Sequence, residues 1–124
     1  MSAELPLRAN LSVLENIALV PQYRENVSTE LAVARAWTLL ERAGHDDCAH
    51  SRDPDLDHEQ RFVAKLLRVI IVAPSIIVIE RPGLMLPDTP YPSFLADILE
   101  RLGEEIETLW IVDYAWHAPL YPRT

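Results

Sequence analysis

The sequence has little glycine, one cysteine and one lysine, and each shortage excludes a class of function. Its three glycines are Gly44, Gly83 and Gly103, so no G-x-x-x-x-G-K-[ST] phosphate-binding loop occurs. Cys48 has no second cysteine to pair with inside the chain, which favours a reducing compartment. Lys65 is the one lysine among 11 basic residues, against 19 acidic ones. The resulting net charge of −8 argues against nucleic acid as a partner.

Long apolar runs are also missing. A membrane-spanning helix needs about 20 apolar residues, whereas Pro74 and Ser75 separate the two longest runs, 69–73 and 76–79. The first ten residues, MSAELPLRAN, lack the apolar core of a signal peptide. We therefore expect a cytoplasmic protein that reaches the inner face of the membrane only through a partner. With 49% hydrophobic residues, the chain can form the core of one domain.

Cap residues and apolar periodicity predict two helices in the first part of the chain. Ser12 and Glu15 have the spacing of a capping box, and LENIALV follows as a short helix ending near Pro21. Ser28 or its neighbour Thr29 caps ELAVARAWTLLERA, which has apolar residues at helical spacing. Gly44 is a natural stop for this helix because glycine readily adopts the left-handed conformation.

The second part predicts a helix followed by a strand–helix–strand unit. Asp57 and Gln60 again have cap spacing, and the helix that they begin should run until Pro74. Residues 75–80 and 108–112 are short apolar strands with a helical segment between them. Continuously apolar strands in this order predict a parallel βαβ unit buried on both faces. Since two strands do not make a self-sufficient sheet, a further element should lie beside them.

A set of short segments keeps the order and spacing of a known protein family. LSVLENIAL and LLERAG come first, and from Gln60 onward Arg68, Pro74, the strand 76–79 and Pro82 follow in register without a gap. LSVLENIAL resembles the segment TVLENI of ABC transporter nucleotide-binding subunits, and LLERAG resembles their segment LLexvGL. Gln60 resembles the end of the LSGGQ signature, Arg68 the arginine of the ALARAL helix, and the strand 76–79 the Walker B strand. The resemblance is to the half of that subunit that follows its glutamine loop.

The resemblance implies an α/β fold that is part of the P-loop NTPase fold, as in ABC ATPases. We expect one domain over residues 1–124, made of a helical subdomain (11–73), a parallel βαβ half-core (74–115) with a Walker-B-like strand (75–80), and an irregular tail (116–124).

The residues that would bind and cleave ATP in that family are replaced here. The signature-like segment is Leu56, Asp57, His58, Glu59 and Gln60. Three of these stand where the family has a serine and two glycines that approach the γ-phosphate. Two carboxylates at a helix N-terminus would repel a triphosphate instead of binding it.

The Walker-B-like pair is Glu80 and Arg81, where the family has a magnesium-associated aspartate and a glutamate general base. An arginine cannot accept a proton at working pH. Tyr114 replaces the switch histidine, and His117 lies three residues further on. Glu80 and Arg81 are either a functional ion pair or partner contact, or a strand end whose charges reach solvent. A third possibility is that Arg81 turns toward Asp57 or Glu59 and neutralises the altered signature.

These replacements predict that the chain is not an enzyme and holds no cofactor. We expect a non-hydrolytic, regulatory or scaffolding partner of a transporter membrane subunit or of another ATPase subunit, or else a homodimer. The alternative is a truncated or split half of a genuine ABC ATP-binding subunit. ATP and magnesium would then bind only if the missing half were supplied.

Two further groups of residues have both a functional and a structural interpretation. The loop 45–59 is rich in His, Cys and acids. It is either a metal or small-molecule site using His45, Cys48 and His50, or a solvated loop whose acids favour a helix N-terminus. Near the C-terminus, the aromatic residues Trp110, Trp116 and Tyr121 predict either a partner contact or packing over the second strand.

Overall fold

The computed structural model describes residues 1–87 and 89–121. Its first part consists of three helices, α1 (Val13–Arg24), α2 (Thr29–Ala43) and α3 (His58–Ile70). Helix α1 packs against both α2 and α3. The loop between α2 and α3 contains two 3-10 turns, Asp46–Cys48 and Asp53–Asp55.

The first three helices begin at cap residues that the sequence predicted, and α2 ends at the predicted glycine. Ser12 and Glu15 form a complete capping box on α1. Ser28 accepts a hydrogen bond from the backbone N–H of Leu31 at the start of α2. Gly44 ends α2 in the left-handed conformation, with φ of 75°. Each cap satisfies backbone groups that a helix end otherwise leaves unpaired.

The predicted end of α1 near Pro21 is wrong. The helix continues to Arg24, and Pro21 is buried within it. Proline lacks the N–H that would bond the preceding turn, which usually ends or kinks a helix. Here the apolar ring is buried with Ile17 and Ala18 on the same helix, so burial compensates for the missing backbone bond.

The second part is a short strand–helix–strand unit. Strand β1 (Ile77–Glu80) is followed by the one-turn helix α4 (Pro82–Met85), helix α5 (Tyr91–Arg101) and strand β2 (Leu109–Val112). A 3-10 turn, Gly103–Glu105, leads into β2, and another, Ala115–Leu120, occupies the segment expected to be irregular.

The two strands pair in parallel, as predicted, with Ile77 opposite Leu109 and Glu80 opposite Val112. The expectation that both faces of the sheet are buried is wrong. Side chains alternate along β1, so that Ile77 and Ile79 are buried whereas Val78 is 39% exposed. The inner face packs on the core, but no described element covers the outer face.

The first residue of the chain lies beside the free edge of β1. The amino group of Met1 donates to the carbonyl of Val78 at 2.9 Å. The N–H of Glu80 donates to the carbonyl of Met1, also at 2.9 Å. This pair of bonds flanks Ile79, as a parallel neighbouring strand would. In the part of the chain that the structure describes, Met1 of the N-terminal segment therefore stands where the further element beside the sheet was expected.

One hydrophobic cluster joins the two parts. It includes Ile17, Leu40, Phe62, Ile79 and Leu95, contributed by α1, α2, α3, β1 and α5. Phe62 of α3 meets Phe94 of α5 edge-on, with ring centroids 6.0 Å apart. No helix in the described part of the chain is long and apolar enough to cross a membrane.

Candidate functional site

The signature-like segment is used as a helix cap. The carboxylate of Asp57 accepts from the N–H of Gln60 at 2.7 Å, and the Gln60 side chain accepts from the N–H of Asp57 at 3.0 Å. Leu56 is buried, whereas Asp57 and His58 are exposed. Since Asp57 already accepts at the N-terminus of α3, a bound phosphate would have to compete with this carboxylate.

At the end of β1, Arg81 stands in an unusual backbone conformation. Its φ and ψ are 43° and 68°, in the left-handed region that disfavours residues with a side chain. The N–H of Arg81 donates to the carbonyl of Val112 at 2.7 Å, which extends the pairing with β2 by one bond. The strand therefore ends by turning directly into α4 at Pro82.

The guanidinium of Arg81 lies among residues from three parts of the chain. It is 3.6 Å from Glu80 and 3.8 Å from Glu4. A hydrogen bond with the Tyr114 side chain raises the pKa of Arg81 above its ordinary value, and Glu80 and Glu4 add to this effect. The structure thus joins the Walker-B-like residues to Tyr114. The proposed turn of Arg81 toward Asp57 or Glu59 is wrong, because its carboxylate partners are Glu4 and Glu80.

Asp113, the residue after β2, organises the segment that follows it. Its carboxylate accepts from the N–H of Tyr114 at 2.7 Å and from the hydroxyl of Tyr121 at 2.6 Å. Nδ1 of His117 lies 3.0 Å from the same carboxylate. Burial disfavours the charged form, but the hydrogen bonds from Tyr121, His117 and Tyr114 outweigh it and lower the pKa of Asp113.

The sequence prediction did not include Asp113, because only the aromatic residues around it matched a pattern typical of a partner contact. The position of Asp113 directly after a short apolar strand could have indicated its role. A carboxylate at a covered strand end needs hydrogen-bond donors around it. Tyr121 is also in contact with the ring of Tyr91, at a centroid distance of 6.4 Å. Burial and its bond to Asp113 raise the pKa of Tyr121, so its hydroxyl remains a donor.

The three predicted partner-contact residues have different surroundings. Trp110 is 58% exposed on the outer face of β2. Tyr121 is partly buried and packs against the core. The side chain of Trp116 lies outside what the structure describes. The exposed residues Ile76, Val78, Trp110 and Val112 all belong to β1, β2 or the residue before β1, and we call them the outer sheet face.

The structure does not bring His45, Cys48 and His50 together as ligands. Cys48 is buried and its Sγ donates to the carbonyl of His45 at 3.1 Å. Nδ1 of His45 lies 3.0 Å from the carbonyl of Ala43, and the ring of His50 is next to Trp37. Burial raises the pKa of Cys48 to about 11, so its thiolate is disfavoured. Among residues 1–87 and 89–121, no cluster of three His, Cys, Asp or Glu suits a metal ion.

Comparison with solved structures identifies the fold. The ATP-binding cassette MJ0796, in a dimeric post-hydrolysis state bound to ADP and Pi, matches 90% of the chain at 25% identity with a TM-score of 0.67. A dimeric structure of MJ0796, a bacterial ABC transporter cassette, matches 93% at 24% identity, also with a TM-score of 0.67. The chain has part of the ABC ATPase fold.

Only about half of each MJ0796 cassette is matched. The chain covers 49% of the first MJ0796 structure and 51% of the second, so it spans about half of their length. No protein-family model matches the chain, and no curated protein matches it. The two structural matches confirm the predicted fold, which is a part of the ABC ATPase fold.

Replacing Asp113 with asparagine is expected to lower the free energy of unfolding by about 1–2 kcal/mol at neutral pH, because the charged acceptor of three hydrogen bonds is lost. Since the pKa of Asp113 is lowered in the folded state, its contribution is present above about pH 4 and disappears as the pH falls through the folded-state pKa. Urea denaturation from acidic to neutral pH measures both effects.

The matched control is Asp97→Asn, which removes an exposed carboxylate paired with Arg101 on α5. We expect a change of no more than about 0.5 kcal/mol for this exposed pair. Equal losses in the two variants, or an Asp113→Asn loss that persists at acidic pH, would show that the Asp113 network does not stabilise the fold.

Proposed function

We propose that the chain is a non-hydrolytic, ABC-ATPase-like protein that acts by binding a protein partner. The observation that carries the proposal is the outer sheet face. On it, Ile76 is 49% exposed, Trp110 58% and Val112 50%. Soluble proteins rarely leave a contiguous group of large apolar side chains uncovered unless something binds there. Tryptophan is also the residue most enriched among the strongest interface contacts.

The surroundings of Arg81 support a function without hydrolysis. A general base must accept a proton from the attacking water, and a guanidinium does not do so. The hydrogen bond with Tyr114 and the nearby carboxylates of Glu80 and Glu4 favour its charged form further. At the signature-like position, Asp57 places a negative charge on the helix end that would otherwise attract a phosphate. The proposal accordingly includes no cofactor.

The partner is a transporter membrane subunit, another ATPase subunit or a second copy of the chain. Each could cover the outer sheet face and extend the two-stranded sheet, which is too small to be stable alone. The role would be regulatory or scaffolding, in the cytoplasm and at the inner face of the membrane when the partner is a membrane subunit. The dimeric state of the similar cassette structures supports a partner with the same kind of fold.

A second candidate is the split or truncated half of a genuine ATP-binding subunit. The observation that favours it is the coverage of about half of each MJ0796 cassette. The parallel pairing of Met1 with β1 also suits a longer strand at this edge. In this candidate, ATP and magnesium bind when a chain with a phosphate-binding loop completes the sheet.

Light scattering on the purified chain tests the proposal through its most accessible partner, a second copy. We expect self-association that Trp110→Lys weakens by about 30-fold, because losing a strong interface contact costs about 2 kcal/mol or more. Leu31→Lys is the matched control, since Leu31 is 49% exposed on α2, away from the sheet. Equal weakening by both variants would contradict a role for the outer sheet face.

Two further arms of the same experiment separate the candidates. The chain with magnesium and ATP is expected to release no phosphate, with or without an added half-cassette that carries a phosphate-binding loop. Phosphate release that requires the chain in the mixture would overturn the non-hydrolytic proposal and establish the split half. A monomeric chain would exclude the second copy and leave a transporter or ATPase subunit as the partner.

A further inference from the structure

A cavity of about 490 Å³ lies between the N-terminal segment, α1 and α3, and none of Asp57, Glu80, Arg81 and Tyr114 lines it. Four of the chain's 11 basic residues line it, namely Arg8, Arg24, Lys65 and Arg68. Among residues 1–87 and 89–121, no Asp or Glu belongs to its lining. In a chain of net charge −8, this cavity therefore concentrates positive charge.

Lys65 is the most deeply placed of these cations. It is 6% exposed, and its ammonium group lies 3.5 Å from the carbonyl of Ser2, which is long for a hydrogen bond. Burial lowers the pKa of Lys65, and the charges of Arg68 and Arg61 lower it further. Burying a cation is costly when its hydrogen bond to the described residues is this weak, so an anion beside it would be stabilising.

The two carboxylates that affect Lys65 have other partners. Asp53 and Glu4 raise the Lys65 pKa only as secondary effects. The Asp53 carboxylate accepts from Nε of Arg61 at 2.7 Å. Glu4 lies toward Arg81, 3.8 Å away. Neither carboxylate lines the cavity, so these two groups offset the charge of Lys65 only in part.

The arginines divide into one structural residue and two at the rim. Arg68 donates to the carbonyls of Pro6 and Leu5 at 2.9 and 2.8 Å, which holds the N-terminal segment against α3. Burial lowers the pKa of Arg68, and repulsion from Arg8 adds to this effect. Arg8 and Arg24 are exposed, and neither forms an ion pair with any residue that the structure describes.

The rest of the lining is largely apolar. Leu19, Val20 and Val69 line the cavity, and Leu5 and Tyr23 do so while remaining 58% and 80% exposed. Cations beside apolar walls suit a ligand with a charged group and an apolar body, and the volume is that of sites for small organic molecules. A small ligand can enter far enough to contact the buried Lys65. A peptide backbone would contact the exposed residues at the rim first.

We propose that this cavity binds a small organic anion. Its carboxylate or phosphate group is held by Lys65, Arg8 and Arg24, and its apolar body lies against the side chains of α1 and α3. This site is separate from the outer sheet face, so it does not depend on the partner-binding function. Charge-assisted hydrogen bonds to an anion are about twice as strong as neutral ones, and the partly enclosed site strengthens them.

Phenyl phosphate, which combines an anion with an aromatic body, tests the proposal by NMR titration of the full chain. We expect shifts in the amide signals of the cavity residues and tighter binding than inorganic phosphate shows. Phenylacetate is the second probe, and its affinity relative to phenyl phosphate assigns a carboxylate or a phosphate ligand. The double variant Arg8→Gln/Arg24→Gln is expected to weaken binding by about tenfold or more, since two charge-assisted hydrogen bonds to the anion are lost.

The matched control is Arg35→Gln/Arg42→Gln, which removes two exposed arginines of α2 and changes the net charge equally. Lys65→Met is a second variant, expected to abolish binding while keeping or raising the thermal stability, because it removes a buried charge. Equal weakening by both double variants, shifts confined to the outer sheet face, binding retained by Lys65→Met, or no shifts with either probe would overturn the proposal.

Discussion

Replacing Phe62 with alanine is expected to lower the free energy of unfolding by about 3–5 kcal/mol. The Phe62 ring is 1% exposed and meets Phe94 edge-on, with 72° between the ring planes. Its removal leaves a cavity between α3 and α5, which is the junction of the helical part with the strand–helix–strand unit. Chemical denaturation measures the loss, which is a large fraction of the stability of an ordinary domain.

Tyr23→Ala is the control for this prediction, since Tyr23 is an aromatic residue that is 80% exposed. We expect its effect to stay within about 0.5 kcal/mol. A double-mutant cycle with Phe94→Ala should give a coupling of about 0.5–1.5 kcal/mol for the edge-on pair. A Phe62→Ala loss no larger than that of Tyr23→Ala would show that the two parts are not joined through this ring.

Replacing Asn16 with alanine is expected to cost about 2–4 kcal/mol, because several buried hydrogen bonds are lost at once. The Asn16 side chain is 3% exposed. Its oxygen accepts from the N–H of Arg8 at 2.9 Å, and its nitrogen donates to the carbonyls of Arg8, Leu11 and Ser12 at 3.1, 3.3 and 3.0 Å. Asn16 therefore holds the segment before α1 in place, including Arg8 at the cavity rim.

Hydrogen exchange gives this prediction a local measurement. In Asn16→Ala, the amide of Arg8 is expected to exchange faster than in the wild type by more than the global loss of stability explains. Asn10→Ala is the control, since Asn10 is an exposed residue of the same segment. Unchanged protection of the Arg8 amide in Asn16→Ala would contradict the role of Asn16 in holding this segment.

Local chemistry made the helices predictable. The capping boxes of Ser12 with Glu15 and of Asp57 with Gln60 are both present in the structure. Gly44 ends α2 as expected. Each of these features depends on residues within four positions of one another, and such interactions form in the same way whatever the rest of the fold does.

Features that depend on distant packing were predicted poorly. Pro21 continues α1 because its ring is buried, and the sequence near it does not state what will pack there. The outer sheet face was expected to be covered because apolar runs such as 76–79 usually lie inside a sheet. Whether a second layer lies over such a strand depends on chain elements that the strand sequence does not encode.

In the candidate site too, the sequence indicated some residues, and tertiary structure decided what they contact. Glu80, Arg81 and Tyr114 were selected by spacing, and the structure places Arg81 beside both of the other two. The actual carboxylate neighbours of Arg81 include Glu4, which is far away in sequence. Only the tertiary structure shows Asp113 as the acceptor for Tyr121 beside His117, because this role depends on how the segment after β2 turns back.

By itself, the sequence determined the order of the main elements, the starts of the first three helices and the resemblance to half of an ATPase cassette. These follow from periodicity, capping and motif spacing, which act over short stretches of chain. Tertiary structure alone decided which apolar side chains remain uncovered and that Arg8, Arg24, Lys65 and Arg68 line one cavity. Charges separated by up to 60 positions meet there because helix packing, not sequence proximity, fixes their distances.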